Sequence, residues 1–306
     1  MTTPRQTTGL PSTDEGLYVI ENAGALDSPV FFNSPHSGDV FPESFLARSQ
    51  LAKPQLRRAS DLFVDELVTP LVQAGLPLMR ALLPRSYIDL NREPLELDPR
   101  LIEGVLPVDA NTRSLRVAGG LGTLPRVVGD QVEIYSGKIT LDEAMDRIAQ
   151  AYVPYHLRLQ QELALRHAHH GRVVLIDLHS MPSSGVPRGG RRLADVVIGD
   201  RFGASAAPWL VDRLEILLRD AGLNVERNHP YAGGYITEHY GRPRFGWHAI
   251  QIEINRALYM DEVRLVPHQG FSVLSSVLSS ALIELSRLLL FDFDTTALHF
   301  SQKAAE

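Results

Sequence analysis

Cysteine is absent from all 306 residues, and that gap excludes both disulfide bridges and thiolate metal ligands. Any metal must be held by His, Asp or Glu. No basic run occurs and the formal charge is -6, so neither nucleic acid nor an anionic membrane surface is an expected partner. Met1 to Glu15 is polar, with Pro and Thr and no apolar h-region. The expectation is a flexible stretch, no signal peptide and a cytoplasmic location. The longest apolar-rich stretch, Phe271 to Phe291, is interrupted by six serines, Glu284 and Arg287, which reads as a docked amphipathic helix rather than a membrane span. No Gly-x-Ser-x-Gly elbow is present, which disfavours a serine hydrolase. No internal repeat occurs, so one domain over residues 1–306 is the simplest organisation, and a homo-oligomer stays open.

Short apolar runs at Val30 to Phe32, Tyr87 to Leu90, Val173 to Leu178 and Ala249 to Ile254 read as buried strands. Helical patterns alternate with them. Thr140-Leu141-Asp142-Glu143 is a capping box opening a helix toward Gly171, with Pro154 as a possible kink. A second helix is predicted over Ala206 to Ala221, stopped by Gly222. Strands separated by helices imply an α/β sandwich with a mixed or mostly parallel sheet, whose functional groups gather at the carboxyl ends of strands. The Gly/Pro-rich segments Gly119 to Gly129 and Pro182 to Gly190 read as ordered loops.

Two histidines stand at such strand ends. His36, in Ser34-Pro35-His36-Ser37-Gly38, follows Val30 to Phe32, and His179 follows Val173 to Leu178 with Asp177 two residues earlier. Either alone fits a turn histidine; together they suggest a metal site. A catalytic zinc usually takes three protein ligands and keeps one position open, so with thiolates excluded the third should be a carboxylate. Asp39 gives the compact His-x-x-Asp spacing, and Asp61 comes from the next segment, where it could equally be a helix cap. Mn, Fe or Co could occupy similar ligands.

Asn91-Arg92 follows Tyr87 to Leu90. A guanidinium there can clamp a carboxylate through two parallel hydrogen bonds, or form a surface pair with Glu93 or Asp89. Glu253 and Gln251 share one face of an interior strand, and a buried carboxylate needs a reason: a general base, or a structural ion pair. The segment Gly233 to Pro243 reads as an active-site loop or lid, or as a hairpin turn. His167, His169 and His170 read as a solvated helix C-terminus.

In this order the motifs resemble the N-formylglutamate amidohydrolase family, whose pattern is similar to Ser-Pro-His-Ser-Gly, Asp-Leu-Asn-Arg, Asp-x-His-Ser, Gly-Gly-Tyr-Ile-Thr-x-His-Tyr-Gly-Arg-Pro and a late Glu. The resemblance runs from Phe31 to Glu262. It implies a fold similar to the zinc carboxypeptidase and aspartoacylase group, a three-layer α/β/α sandwich with a mixed, mostly parallel central sheet, phosphorylase/hydrolase-like. It also implies one zinc ion on His36, Asp61 and His179, because the Asp61 segment resembles a family motif and the Asp39 position does not. Glu253 would be the catalytic base, and Asn91, Arg92, Gly234 and Tyr235 would bind a small N-acyl amino acid. The implied reaction takes N-formyl-L-glutamate to formate and L-glutamate, within histidine degradation. A zinc deacylase or carboxypeptidase of other specificity, and a non-catalytic metal or amino-acid binding protein, are the alternatives.

Overall fold

The computed structural model describes residues 16–129, 131–183 and 194–303, with side chains to residue 290. The expected flexible stretch 1–15 and most of the expected loop Pro182 to Gly190 lie outside those residues. The chain divides into two compact units: residues 1–19, 35–62 and 80–157 form one, and residues 20–34, 63–79 and 158–306 the other. Its principal strands are β1 (Tyr18–Glu21), β2 (Val30–Ser34), β3 (Leu78–Ala81), β4 (Val173–Met181), β5 (Val196–Gly199), β6 (Val225–Arg227) and β7 (Trp247–Asn255). Its principal helices are α1 (Val64–Leu67), α2 (Thr69–Gln73), α3 (Leu141–Arg147), α4 (Val153–His170), α5 (Pro208–Asp220), α6 (Tyr235–Tyr240) and α7 (Gly270–Lys303).

The second unit contains most of a seven-stranded sheet in the order β1-β3-β2-β4-β7-β5-β6. Strands β2, β4 and β7 run parallel, β5 is antiparallel to β7, and β6 is parallel to β5. This is the mixed, mostly parallel sheet expected from the sequence. Strands β2 and β4 are buried along their whole length and β7 from His248 onward. Central parallel strands are covered on both faces, so they appear in sequence as continuous apolar runs without alternation. The two faces are identifiable from single contacts. Ala207, just before α5, donates its N–H to His248 Nδ1 at 3.3 Å, whereas Gly234, just before α6, donates to Gln251 Oε1 at 2.8 Å. Positions 248 and 251 point to opposite sides of β7, so helices approach both faces of the sheet.

Helix α5 matches the predicted stretch closely, with Pro208 in its first turn, Leu210, Leu214 and Leu218 buried, and Gly222 beyond its end at φ +89°. Helix α7 packs on α5, α2 and α1 through Leu278, Leu282 and Leu285, all fully buried at the i, i+4, i+7 spacing of one helical face. Two of its buried serines find carbonyl partners: Ser275 donates to the Leu67 carbonyl of α1 at 2.6 Å and Ser286 to the Leu282 carbonyl of its own helix at 3.0 Å. Gly270–Leu290 is long and apolar enough to cross a membrane by length and composition, yet half of its most apolar window is buried within the fold.

In the first unit Thr140 caps α3, accepting from the Glu143 N–H at 3.2 Å. The helix predicted from there to Gly171 runs without a break to His170, with one irregular turn inside it. Residues Ile148–Tyr152 form one π-helical turn, in which the Val153 N–H reaches the Ile148 carbonyl. Pro154, which has no N–H to donate, follows at the start of α4. Tyr87 to Leu90 corrects another expectation, because it forms turns rather than a strand. The N–H groups of Tyr87 and Ile88 donate to the Pro84 carbonyl and that of Asp89 to the Thr123 carbonyl. Its residues are buried, and an apolar run of four reports burial without specifying extended backbone.

Candidate metal centre

In the first unit, Ser34-Pro35 leads the chain off the end of β2, and His36 follows with 1% exposure. The Asp61 N–H donates to the His36 carbonyl at 2.9 Å, and the Ser37 hydroxyl donates to the Asp61 carbonyl at 3.3 Å. These bonds fasten the two loops together and set Asp61 Oδ2 3.3 Å from His36 Nδ1. Gly38 is required beside them, since a Cβ there would fall 2.1 Å from the Leu83 carbonyl oxygen. Asp39 turns away, pairing with Arg57 at 3.1 Å and Lys53 at 3.5 Å with 44% of its side chain exposed. The compact His-x-x-Asp spacing therefore leads to a surface ion pair, and Asp61 is the carboxylate beside the imidazole. Asp61 is not a helix cap either: α1 starts after Phe63, without a side-chain cap.

The other ring nitrogen of His36 is also occupied. A carboxylate can only accept, so Nε2 donates to Asp89 Oδ1 at 2.8 Å. Asp89 further accepts from the Asn91 N–H at 2.9 Å and from Arg85 Nε at 2.9 Å, and lies 3.5 Å from Arg92 Nη2. Burial alone would raise the Asp89 carboxyl, but the charges of Arg85 and Arg92 and the hydrogen bond from His36 outweigh it and hold the group well below the ordinary carboxylate range. Arg92 is itself buried, which pulls it down to about 10 despite Asp89, so it stays charged at neutral pH. Its Nε donates to the Leu121 carbonyl and its Nη1 to the Asn91 carbonyl, at 2.9 and 2.8 Å. A guanidinium carries more N–H donors than these contacts use.

In the second unit the period of two along β4 puts Asp177 and His179 on one face. His179 Nε2 donates to Asp177 Oδ2 at 2.8 Å, and Asn33 Nδ2, from β2, donates to Asp177 Oδ1 at 2.8 Å. On the neighbouring parallel strand β7, Gln251 lies opposite Asp177 and Glu253 opposite His179. Gln251 Nε2 donates to Glu253 Oε1 at 2.7 Å, and its carbonyl takes the Gly234 N–H described above. The segment read as a loop or hairpin, Gly233 to Pro243, is mostly helix α6, with Gly234 as its N-cap. Gly233 has φ +117°, and a Cβ on Gly199 would fall 2.7 Å from the Gly233 nitrogen, so both glycines allow the helix to start this close to the sheet. Tyr235 is half-buried, its hydroxyl 3.1 Å from His239 Nδ1. Burial pushes the Tyr240 hydroxyl far up, reinforced by Tyr235 and Asp177.

His36, Asp61 and His179 are all buried and each offers a ligand atom within 4.8 Å of the others, a group that could bind a metal ion. The donor set fits a divalent ion of borderline softness: two imidazoles, one carboxylate and no thiolate. Each imidazole has Nε2 engaged by an aspartate, an arrangement that orients the ring so that Nδ1 could serve as a ligand nitrogen. Asp89 and Asp177 are the residues the sequence reading did not assign. The signal existed, because Asp177 precedes His179 by one strand period, and Asp89 stands in the same short motif as Asn91 and Arg92.

The mixed α/β sheet thus carries a buried His/Asp/His group with Glu253 opposite His179, and the proteins this chain matches are named as hydrolases acting on an amide bond. The model of the family described as N-formylglutamate amidohydrolase matches residues 28–260, and the chain belongs to that family. The N-formylglutamate deformylase of Pseudomonas aeruginosa is 28% identical over 237 residues, covering 76% of this chain and 83% of that protein. The N-formylglutamate deformylase of Pseudomonas putida is 34% identical over 122 residues, 40% of this chain and 46% of that one. The crystal structure of N-formylglutamate amidohydrolase from Ralstonia eutropha JMP134 superposes with a TM-score of 0.84 at 33% identity, covering 90% of this chain and 98% of that one.

Proposed function

We propose that the chain, acting as one amidohydrolase domain in the cytoplasm, hydrolyses N-formyl-L-glutamate to formate and L-glutamate with one zinc ion held by His36, Asp61 and His179. The observation that carries the reading is the position of Glu253, directly opposite His179 on the adjacent parallel strand and on the same face. The names of the relatives support the substrate. Zinc, when bound, supplies a Lewis acid that acidifies water and polarises the acyl oxygen. Glu253 takes the proton of the attacking water and returns it to the leaving amine, while the Gln251 amide holds its Oε1 and so orients the carboxylate. Asn91 and Arg92 grip a carboxylate of the amino acid. The contacts of Arg92 with Asp89 and two main-chain carbonyls fix the guanidinium plane before substrate arrives, which reduces the ordering needed on binding. Gly234 and Tyr235, at the start of α6, cover the substrate and exclude bulk water.

The test pairs two measurements. Formyl-, acetyl- and succinyl-glutamate are assayed side by side, with fastest turnover expected for the formyl compound. Glu253→Gln should lower kcat by roughly three orders of magnitude, the scale of losing a general base, while the zinc content of the purified variant is unchanged. Unaltered turnover in Glu253→Gln would remove this residue from the mechanism.

A further inference from the structure

The π-helical turn at Ile148–Tyr152 has no role in the chemistry just described, yet three side chains in and beside it reach one segment. Arg147 Nη1 donates to the Tyr87 carbonyl at 3.5 Å, His156 Nε2 to the Leu90 carbonyl at 2.9 Å, and the Tyr152 hydroxyl to the Arg92 carbonyl at 2.6 Å. These three carbonyls belong to the segment that carries Asp89, Asn91 and Arg92. In a regular α-helix, residues five apart are rotated about 140° from each other, given 3.6 residues per turn. Arg147 and Tyr152 could not then serve one segment. The π turn inserts one residue into the i→i−4 ladder, and its Val153 N–H to Ile148 carbonyl bond gives the pair the alignment that residues four apart have elsewhere. Tyr152 and His156, four apart, stack with ring centroids 4.2 Å from each other. Arg147 is held in turn by the Tyr135 hydroxyl at 2.7 Å, by Glu143 and by the faces of Tyr87 and Phe45.

We infer that the π turn with Tyr152 and His156 is a positioning device for the substrate-carboxylate group, setting the Leu90 to Arg92 backbone so that Asn91 and Arg92 meet the substrate in fixed register. The inference rests on the reading of Asn91 and Arg92 as the carboxylate-binding pair. Tyr152 and His156 act through that segment and touch no reacting atom. A ring nitrogen facing a carbonyl must carry a proton, so His156 serves as a neutral or charged donor alike. Glutamine, whose side-chain amide nitrogen occupies much the same place as Nε2, can replace it in this role; leucine cannot.

The experiment uses the zinc-loaded full chain and four variants: Tyr152→Phe, His156→Leu, His156→Gln and, as a reference, Arg92→Ala. Loss of one buried hydrogen bond should raise KM for N-formyl-L-glutamate by ~10-fold in Tyr152→Phe and His156→Leu with kcat nearly kept, and His156→Gln should return KM to within about threefold of the parent. Hydrogen exchange followed on peptides covering residues 87–93 should speed up in the first two variants and not in His156→Gln. A merely structural role would instead lower the melting temperature and the active fraction, leaving KM unmoved; that result, or unchanged exchange in 87–93, overturns the inference. If Arg92→Ala leaves KM unchanged, the carboxylate-binding reading fails on its own account. The exchange measurement, which needs no turnover, then decides whether Tyr152 and His156 hold the segment.

Discussion

Replacing Asp177 by Asn alters one charge at a fully buried position and almost nothing else, which makes its effect calculable. The parent carboxylate accepts from His179 Nε2 and Asn33 Nδ2, both at 2.8 Å. An asparagine can still accept from His179 through its carbonyl, and Asn33 can turn its own amide to accept from the new NH2 group. The geometry survives and the charge is lost. A hydrogen bond to an ionised acceptor contributes about 1.5–3 kcal/mol net against about 0.5–1.5 for a neutral one, so the difference of about 1–1.5 kcal/mol predicts zinc binding weakened by ~10-fold. Asp177→Ala, which leaves both donors without that acceptor, should weaken it by ~100-fold, the upper range for such supporting residues. Stability of the metal-free protein should fall by a similar ~1–1.5 kcal/mol for Asp177→Asn, because the same charge-assisted bonds are already made without the metal. Competition with a chromogenic chelator at fixed pH gives the zinc dissociation constant, and thermal unfolding without metal gives the stability. Zinc affinity within about twofold of the parent in Asp177→Asn would refute the assignment of His179 as a ligand oriented by Asp177.

Two further outcomes follow from the geometry. Gly38→Ala should destabilise the fold by at least about 2 kcal/mol, since the new methyl meets the Leu83 carbonyl and main chain must move; thermal or urea unfolding checks this, and a loss below about 0.5 kcal/mol contradicts it. His248 is pulled down to about 4 by burial and then by the Arg172 charge, whereas the unfolded chain titrates near 6.5. Between those values the unfolded state binds a proton the folded state refuses, so stability should fall as pH drops from ~6.5 to ~4, by on the order of 3 kcal/mol. His248→Gln keeps an acceptor for the Ala207 N–H and should flatten that part of the melting temperature profile.

Strands β2, β4 and β7 were legible in the sequence because central parallel strands leave uninterrupted apolar runs, and α5 because its apolar stripe ends at a glycine. Strands β3, β5 and β6 were not singled out: runs of three or four residues carry little pattern, and their place is set by pairing with β2, β7 and each other. The π turn was equally hidden, since Pro154 signals an irregularity but not its kind. For the site, strand-end position singled out His36 and His179, which lie in one buried group with Asp61, and alternation singled out Glu253, which lies opposite His179. Spacing alone misled at Asp39, because three residues of separation say nothing of the Arg57 and Lys53 side chains that draw it to the surface. Asp89 and Asp177 went unassigned because a carboxylate that holds a buried histidine looks, in sequence, like any other neighbouring acid.

The register between β4 and β7 fixes more than the sheet. Alternate residues of both strands supply the polar cluster, and the residues between them fill the apolar layer on the reverse side. Deleting a single residue from β7 upstream of Gln251 would, with that pairing kept, turn Gln251 and Glu253 into the hydrocarbon interior and bring Ile252 opposite Asp177 and Ile254 opposite His179. Activity and foldability would vanish together, so no variant with a shifted β7 can trade one for the other, and any search for altered specificity is confined to the loops and to α6.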